Sequence, residues 1–225
     1  MQLNADFSQR TVVHGDEVAW QDSPMPGVRR RMFDRIGAEV ARATTVVSYA
    51  PGSQFSAHTH TGGEEFLVLE GVFEDEHGAY PAGSYVRNPP ESAHTPGSAP
   101  GCIMLVKLWQ FDLDDRTHVI IDTNKIGSVK DADRAGVSIT PLFQDHRESV
   151  RIETFEAGLQ AAVNTNGGAE IFVLGGSFTE TDESFRNQSW LRVPIGGKAQ
   201  LTAGPQGARL WVKSGHLVHA KAPVG

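Results

Sequence analysis

An internal repeat is the feature that most constrains how this chain of 225 residues can fold. Three separate blocks of sequence recur in similar form 105 or 106 residues later, so their offset is nearly constant. They are residues 62–71 (GGEEFLVLEG) with 167–176 (GGAEIFVLGG), 84–89 (SYVRNP) with 189–194 (SWLRVP), and 105–107 (LVK) with 211–213 (WVK). Because a repeat of this length is one structural unit used twice, the sequence predicts two similar domains. We expect a first domain at residues 1–114 and a second at residues 115–225.

Each copy is rich in short segments that are typical of β-strands. These segments are β-branched or aromatic, and they are separated by many of the 24 glycines and 12 prolines of the chain. Examples are residues 43–49 (ATTVVSY), 65–69 (EFLVL), 101–106 (GCIMLV) and 150–155 (VRIETF). Such a pattern favours strands joined by turns over long helices. Since each copy has the size of a small double-sheet barrel, the predicted fold class is all-β, with two tandem jelly-roll barrels.

Charge and composition limit the partners and the compartment. The formal net charge is −7, whereas nucleic-acid binding needs a basic face, so we expect no nucleic-acid partner. The one basic cluster, residues 29–31 (RRR), is predicted to be solvated. No apolar stretch is long enough to span a bilayer and no signal-peptide pattern is present, which predicts a cytoplasmic protein without membrane contact. The single cysteine, Cys102, is expected to be a core residue.

Four residues of the first copy form a candidate metal site. His58 and His60 lie two residues apart, so on an extended strand their side chains project from the same face. Glu64 follows after a Gly-Gly turn, and His94 lies in the proline-rich segment NPPESAHTP. Three imidazoles and a carboxylate suit Zn²⁺, Fe²⁺, Mn²⁺ or Ni²⁺, and no thiolate is present to favour a softer ion. The sequence therefore predicts one divalent metal ion per chain, with zinc favoured.

The spacing of these residues resembles the two motifs of the cupin superfamily. Residues 52–71 match the first motif and residues 83–94 match the second. Glu91 stands where the second motif usually has glycine, and Ser98 where asparagine is common. The resemblance implies that each barrel is a double-stranded β-helix of the cupin type. Tyr49, Phe66, Val68 and Met104 are then expected to line the first barrel.

Residues 58–71, 78–90, 94–96 and 101–102 are more closely similar to the C-terminal cupin of ChrR-type anti-sigma factors. That cupin binds zinc and takes part in the response to singlet oxygen or peroxide. The resemblance thus implies zinc at His58, His60, Glu64 and His94. It does not extend to the N-terminal helical domain, with its His/Cys zinc motif, through which these proteins bind a sigma factor. A sigma-factor partner is therefore not supported by residues of this chain.

The second copy lacks the candidate ligands. At an offset of 105 residues, Val163, Thr165, Ala169 and Ala199 stand where His58, His60, Glu64 and His94 stand in the first copy. Apolar side chains at these positions would fill the space that a metal ion and its ligands occupy. The second domain is therefore predicted to be a degenerate cupin that serves as a structural partner or as a pocket for an apolar molecule.

Two functions fit these observations, and they leave open whether the protein is an enzyme. The first is a zinc-binding sensor or regulatory protein of the ChrR-like type. The second is a mononuclear Fe²⁺ cupin dioxygenase acting on β-diketones or aromatic ketones, with His58, His60 and His94 on the iron. Sugar isomerase or epimerase chemistry is a weaker third reading. We expect a small-molecule ligand in the first barrel and a homodimer built on exposed sheet edges, and we assign no catalytic residue.

Overall fold

The computed structural model describes residues 1–38 and 40–223. It is an all-β structure, as predicted. Contacts divide it into two compact units. The first unit consists of Met1–Ala5, Val18–Lys125 and residues 221–223, and the second consists of Asp6–Glu17 and Ile126–Ala220.

Within the described ranges the chain forms strands β1 to β22, numbered in chain order, and a 3-10 helix at His216–His219. The strands are β1 Gln2–Leu3, β2 Thr11–His14, β3 Gln21–Asp22, β4 Val28–Gly37, β5 Ala41–Tyr49, β6 Ser53–Gln54, β7 His58–His60, β8 Glu64–Asp75, β9 Gly78–Pro81, β10 Ser84–Asn88, β11 Ser92–His94, β12 Gly97–Ser98, β13 Cys102–Leu108, β14 Val119–Asp122, β15 Val129–Lys130, β16 Val137–Gln144, β17 Ser149–Phe155, β18 Gln160–Val163, β19 Ala169–Glu180, β20 Glu183–Phe185, β21 Ser189–Val193 and β22 Ala199–Ser214. Over the same ranges, no helix reaches the length and apolar character needed to cross a bilayer.

The two units repeat one antiparallel topology. The main sheet of the first unit has the order β1-β4-β5-β13-β8-β10-β14, and a separate two-stranded ribbon pairs β7 with β11. The sheet of the second unit has the order β15-β16-β17-β22-β19-β21-β2. Strands β8 and β10 return as β19 and β21 at the offset of 105 residues and with unchanged lengths. The repeat in the sequence is therefore a repeat of barrel strands, and the fold class is two tandem barrels.

The last strand of each sheet lies on the other side of the predicted boundary between residues 114 and 115. Strand β14, at Val119–Asp122, pairs with β10 in the first unit, and β2, at Thr11–His14, pairs with β21 in the second. The contacts thus divide the chain differently from the predicted boundary between residues 114 and 115. The matching blocks of the repeat contain only inner strands, so they carry no information about which segment supplies the outer strand.

The core of the first unit contains the residues predicted to line it. Tyr49, Phe66, Val68 and Met104 are buried together in one apolar cluster. Cys102 belongs to the same cluster, and burial raises the pKa of its thiol to about 11. The thiol is therefore protonated at neutral pH and packs as an apolar side chain, as expected for a core cysteine.

Charged residues on the neighbouring strand positions are also buried, and they repeat between the units. In the first unit Glu65 stands between Arg87 and Lys107 in the register of the sheet, and all three side chains are at most 1% exposed. The second unit repeats the arrangement with Glu170, Arg192 and Lys213. The attraction between opposite charges on adjacent strands offsets part of the desolvation penalty of burying them. Because side chains alternate along a strand, Glu64 and Glu65 project from opposite faces of β8.

Replacing Gly71 by alanine is expected to destabilise the fold strongly. Gly71 has a φ of +72°, and a Cβ there would lie 2.0 Å from the carbonyl oxygen of Gly101. The left-handed backbone alone costs a non-glycine residue about 1–2 kcal/mol, and the overlap adds to that cost. Gly52→Ala is a matched control because Gly52 has a φ of +74° but nothing within 4 Å of the added Cβ. Equal losses of unfolding free energy for the two variants in urea denaturation would contradict this prediction.

Candidate metal centre

The three histidines lie on one face of the two-stranded ribbon. His58 and His60 are the first and last residues of β7, so their side chains project in the same direction. His94 ends β11, and in the antiparallel register it stands directly across from His58. Strand alternation and the register of this short pairing together bring the three imidazoles to one place. The ring centroids of His60 and His94 are 4.9 Å apart.

A tight turn returns the chain from His60 to Glu64 at the start of β8. The backbone N–H of Gly63 donates to the carbonyl of His60 at 3.1 Å, and Gly63 has a φ of +76° that favours glycine. A Cβ on Gly62 would lie 2.1 Å from the ring of Trp109. Both glycines are therefore needed for the turn that places the Glu64 carboxylate beside the imidazoles.

The three histidines form one group of potential ligand atoms, and Glu64 lies beside two of them. Ligand atoms of His58, His60 and His94 all lie within 4.8 Å of one another. The Nε2 atoms of His60 and His94 are 2.9 Å apart, and Oε2 of Glu64 lies 3.3 Å from the first and 3.6 Å from the second. Donor atoms that share one ion at about 2.1 Å are themselves about 3.0–3.5 Å apart. The separations among His60, His94 and Glu64 are close to this spacing, whereas Glu64 lies outside the group that the three histidines form.

Hydrogen bonds fix the tautomers of two of the imidazoles. Nδ1 of His58 lies 2.8 Å from the carbonyl oxygen of Ser56, and Nδ1 of His94 lies 3.1 Å from Oδ2 of Asp75. A carbonyl and a carboxylate only accept, so in each neutral ring the proton is on Nδ1. The Nε2 atom of each ring then presents a lone pair, which is the form that binds a metal ion.

Burial sets the protonation of the other two residues. The side chain of His60 is 8% exposed, and burial, with a smaller contribution from His58, lowers the pKa of His60 to about 3. His60 is therefore neutral at physiological pH and has no charge that would repel a cation. Burial raises the pKa of Glu64, while His94 and a hydrogen bond from Asn88 act in the opposite direction. A divalent cation bound here would supply the positive counter-charge that stabilises a buried carboxylate.

Three further polar residues support the ligands and were not identified from the sequence. Asp75 holds His94, and Nδ2 of Asn88 donates to Oε2 of Glu64 at 3.3 Å. His118 is exposed, and its Nε2 lies 3.0 Å from Oδ1 of Asn88. Asp75 lies in the acidic segment EDEHG, which resembles an ordinary hairpin tip. Its role follows from the contact between Asp75, the last residue of β8, and His94, the last residue of β11.

An apolar pocket of the first unit opens onto this site. It has a volume of about 110 Å³, and His58, His60 and Glu64 form part of its wall. Most of the remaining wall is apolar, and the polar exceptions are Ser23, Arg30 and Tyr49. Burial raises the pKa of the Tyr49 hydroxyl, so it is protonated and can donate a hydrogen bond. The candidate metal site is therefore accessible to a small molecule.

The second unit contains the predicted apolar replacements at the corresponding place. Val163 and Ala199 face each other in the register, as His58 and His94 do, and both belong to the apolar core of that unit. Phe178 and Phe185 also stack in this core at a centroid distance of 4.3 Å. Over the described residues, the group of three or more His, Cys, Asp or Glu side chains close enough to hold an ion is the one in the first unit.

Family and sequence comparisons agree with the motifs of the first copy. Residues 8–112 match the model of the family described as the ChrR cupin-like domain, and this range includes all four candidate ligands. A search of curated proteins found no match.

Solved structures show the same architecture over nearly the whole chain. A provisionally named dioxygenase from Nostoc punctiforme is 13% identical, with a TM-score of 0.73 over 97% of this chain and 87% of its own. The Escherichia coli pirin YhhW, solved with nickel(II), is 14% identical, with a TM-score of 0.66 over 92% and 99%. Oxalate decarboxylase from Lactobacillus farciminis, solved with formate, is 10% identical, with a TM-score of 0.66 over 91% and 86%. The chain therefore has the cupin fold in two tandem barrels, and its first half is similar to the ChrR-like cupins.

Proposed function

We propose that this protein binds one divalent metal ion in its first barrel, through His58, His60, His94 and Glu64, and acts as a zinc-dependent sensor or regulatory protein. One observation carries the proposal. The Nδ1–H donors of His58 and His94 leave the Nε2 atom of each ring free to bind a metal ion, and Nε2 of His94 lies 2.9 Å from Nε2 of His60 and 3.6 Å from Oε2 of Glu64. In the absence of an ion, the lone pairs and the carboxylate concentrate negative potential at one buried point, which favours binding a cation.

The donor set favours zinc and a role other than catalysis. Four protein donors complete the usual coordination shell of a zinc ion, whereas catalytic zinc sites keep a position for water or substrate. Nitrogen and oxygen donors without sulfur also accommodate Fe²⁺, Mn²⁺ or Ni²⁺. When bound, the ion supplies a Lewis-acidic centre at the wall of the pocket. The four donor residues would hold the ion, and Ser56 and Asp75 orient two of the imidazoles.

A mononuclear Fe²⁺ dioxygenase is the second candidate, and the pocket favours it. The carboxylate of Glu64 is close to two of the three imidazoles only, so three histidines could hold iron and leave positions open. An apolar cavity beside these histidines could hold a ketone or diketone substrate. The similarity in fold to the provisionally named dioxygenase from Nostoc punctiforme supports the same reading.

Purified protein is expected to hold about one zinc ion per chain, and His94→Gln is expected to lose it during dialysis against a weak chelator. His77→Gln is the matched control because His77 lies in a neighbouring polar cleft with His94 but outside the group of candidate ligands. Metal content measured by plasma mass spectrometry checks this prediction. Equal zinc retention by the two variants would contradict the proposed ligand set.

Asp75 is expected to tune metal affinity without contacting the ion. Removing an outer hydrogen-bond acceptor typically weakens metal binding about 10–100-fold, so Asp75→Ala should fall in that range. Asp75→Asn keeps an acceptor but loses the charge, and its affinity should lie between those of Asp75→Ala and the unchanged protein. Competition with a chromogenic zinc chelator measures the series. An Asp75→Ala variant that is fully folded by circular dichroism and binds zinc as tightly as the unchanged protein would refute this role.

Oxygen consumption separates the two candidate functions. The sensor proposal predicts no substrate-dependent oxygen uptake by iron-loaded protein with pentane-2,4-dione or with hydroxylated acetophenones. Uptake that depends on substrate and disappears in His94→Gln would replace the sensor with the dioxygenase. An oxygen electrode and anaerobically reconstituted protein are sufficient for the test.

A further inference from the structure

The arginine triplet at residues 29–31 divides between two faces of β4. The guanidinium groups of Arg29 and Arg31 lie over the ring of Trp20, at 5.4 and 4.4 Å from its centroid. Since side chains alternate along a strand, Arg30 projects from the other face. It stands across from Val47 of β5, and both residues line the pocket beside the candidate metal centre. Strand alternation therefore directs Arg30 toward this pocket, and its side chain remains partly exposed, as that of Arg31 does.

Arg30 is the one half-buried arginine or lysine side chain in the wall of this pocket, and it forms no ion pair with Glu64, the carboxylate in the same wall. Over the described ranges it has no hydrogen bond or ion pair from its side chain, and its Nε atom is shielded from solvent without a partner. Another arginine of the same unit is paired: Arg87 donates to Oδ2 of Asp115 at 2.9 Å. A partly desolvated guanidinium without an anion is unfavourable unless a ligand supplies one.

The carboxylate that shares the pocket does not neutralise Arg30. Glu64 lies among the imidazoles and accepts a hydrogen bond from Asn88. With a divalent ion at the proposed centre, the charges of the ion and Glu64 sum to a positive value, and Arg30 adds to it. The pocket would then attract anions. Its apolar residues, which include Val28, Phe55 and Met104, favour an apolar body on the ligand.

We propose that Arg30 binds the carboxylate of a small carboxylic acid with an apolar body, and that this acid is the ligand of the first barrel. A planar guanidinium matches a carboxylate with two parallel hydrogen bonds. The volume of about 110 Å³ limits the ligand to a few carbon atoms beyond the carboxylate. The proposal deepens the proposed function and rests on it, since the metal centre forms the adjoining wall.

Binding of butanoate and of its uncharged isostere butanamide tests this assignment. Both are titrated into zinc-loaded protein and followed by ligand-observed NMR, for the unchanged chain, Arg30→Gln and Arg31→Gln. Arg31→Gln is the matched control because it removes the same charge from the neighbouring position, on the opposite face of β4. We expect Arg30→Gln to weaken butanoate binding about tenfold or more, the usual effect of losing hydrogen bonds to a charged group. Arg31→Gln should bind butanoate as tightly as the unchanged chain does. The affinity for butanamide should be similar in all three proteins.

Zinc content of each variant keeps the two proposals apart. Equal butanoate affinity in Arg30→Gln and the unchanged chain would overturn the assignment, because the metal alone would then hold the carboxylate. Absence of butanoate binding to the unchanged chain would overturn it as well. If the unchanged chain takes up no zinc but binds butanoate, and Arg30→Gln loses that binding, the metal centre is refuted. Arg30 is then still supported as the anion site.

Discussion

Two hydrogen bonds, from Nδ1 of His58 to the Ser56 carbonyl and from Nδ1 of His94 to the Asp75 carboxylate, determine what the first barrel can do. They assign the proton of each neutral ring to Nδ1 and so leave the Nε2 atom of each ring free to bind a metal ion. Without them the imidazoles could rotate or exchange tautomers, and the same residues would form an ordinary buried histidine cluster. The ribbon of β7 and β11, the glycine turn and the end of β8 all act by keeping these bonds in place.

The parts of this arrangement that follow from local periodicity could be predicted from the sequence. The two-residue spacing of His58 and His60 defines a common face on any strand, and the repeat identifies the barrels. Asp75 could not be predicted as an outer acceptor, because its position depends on how a long strand folds back against a distant one. Arg30 could not be placed either, since a shift of one residue in strand phase exchanges the pocket face with the face that carries Trp20.

The interiors of the two barrels differ in polarity although their fold is the same. Buried Glu, Arg and Lys residues persist in both units on the neighbouring strand positions, where they serve the sheet itself. The interior differs. Where the first unit has imidazoles and Tyr80, the second has Val163, Ala199 and Phe185, so the polar site is replaced by packed apolar volume. Loss of the ligands and filling of their space go together, because an unfilled polar cavity would destabilise the core.

Anomalous X-ray scattering at the zinc edge from crystals of zinc-loaded protein tests the central claim most directly. The expected result is one peak per chain, within about 2.0–2.3 Å of Nε2 of His58, His60 and His94 and near the carboxylate of Glu64. A crystal without a peak at these side chains, or with its strongest peak in the second unit, would contradict the assignment of the metal centre.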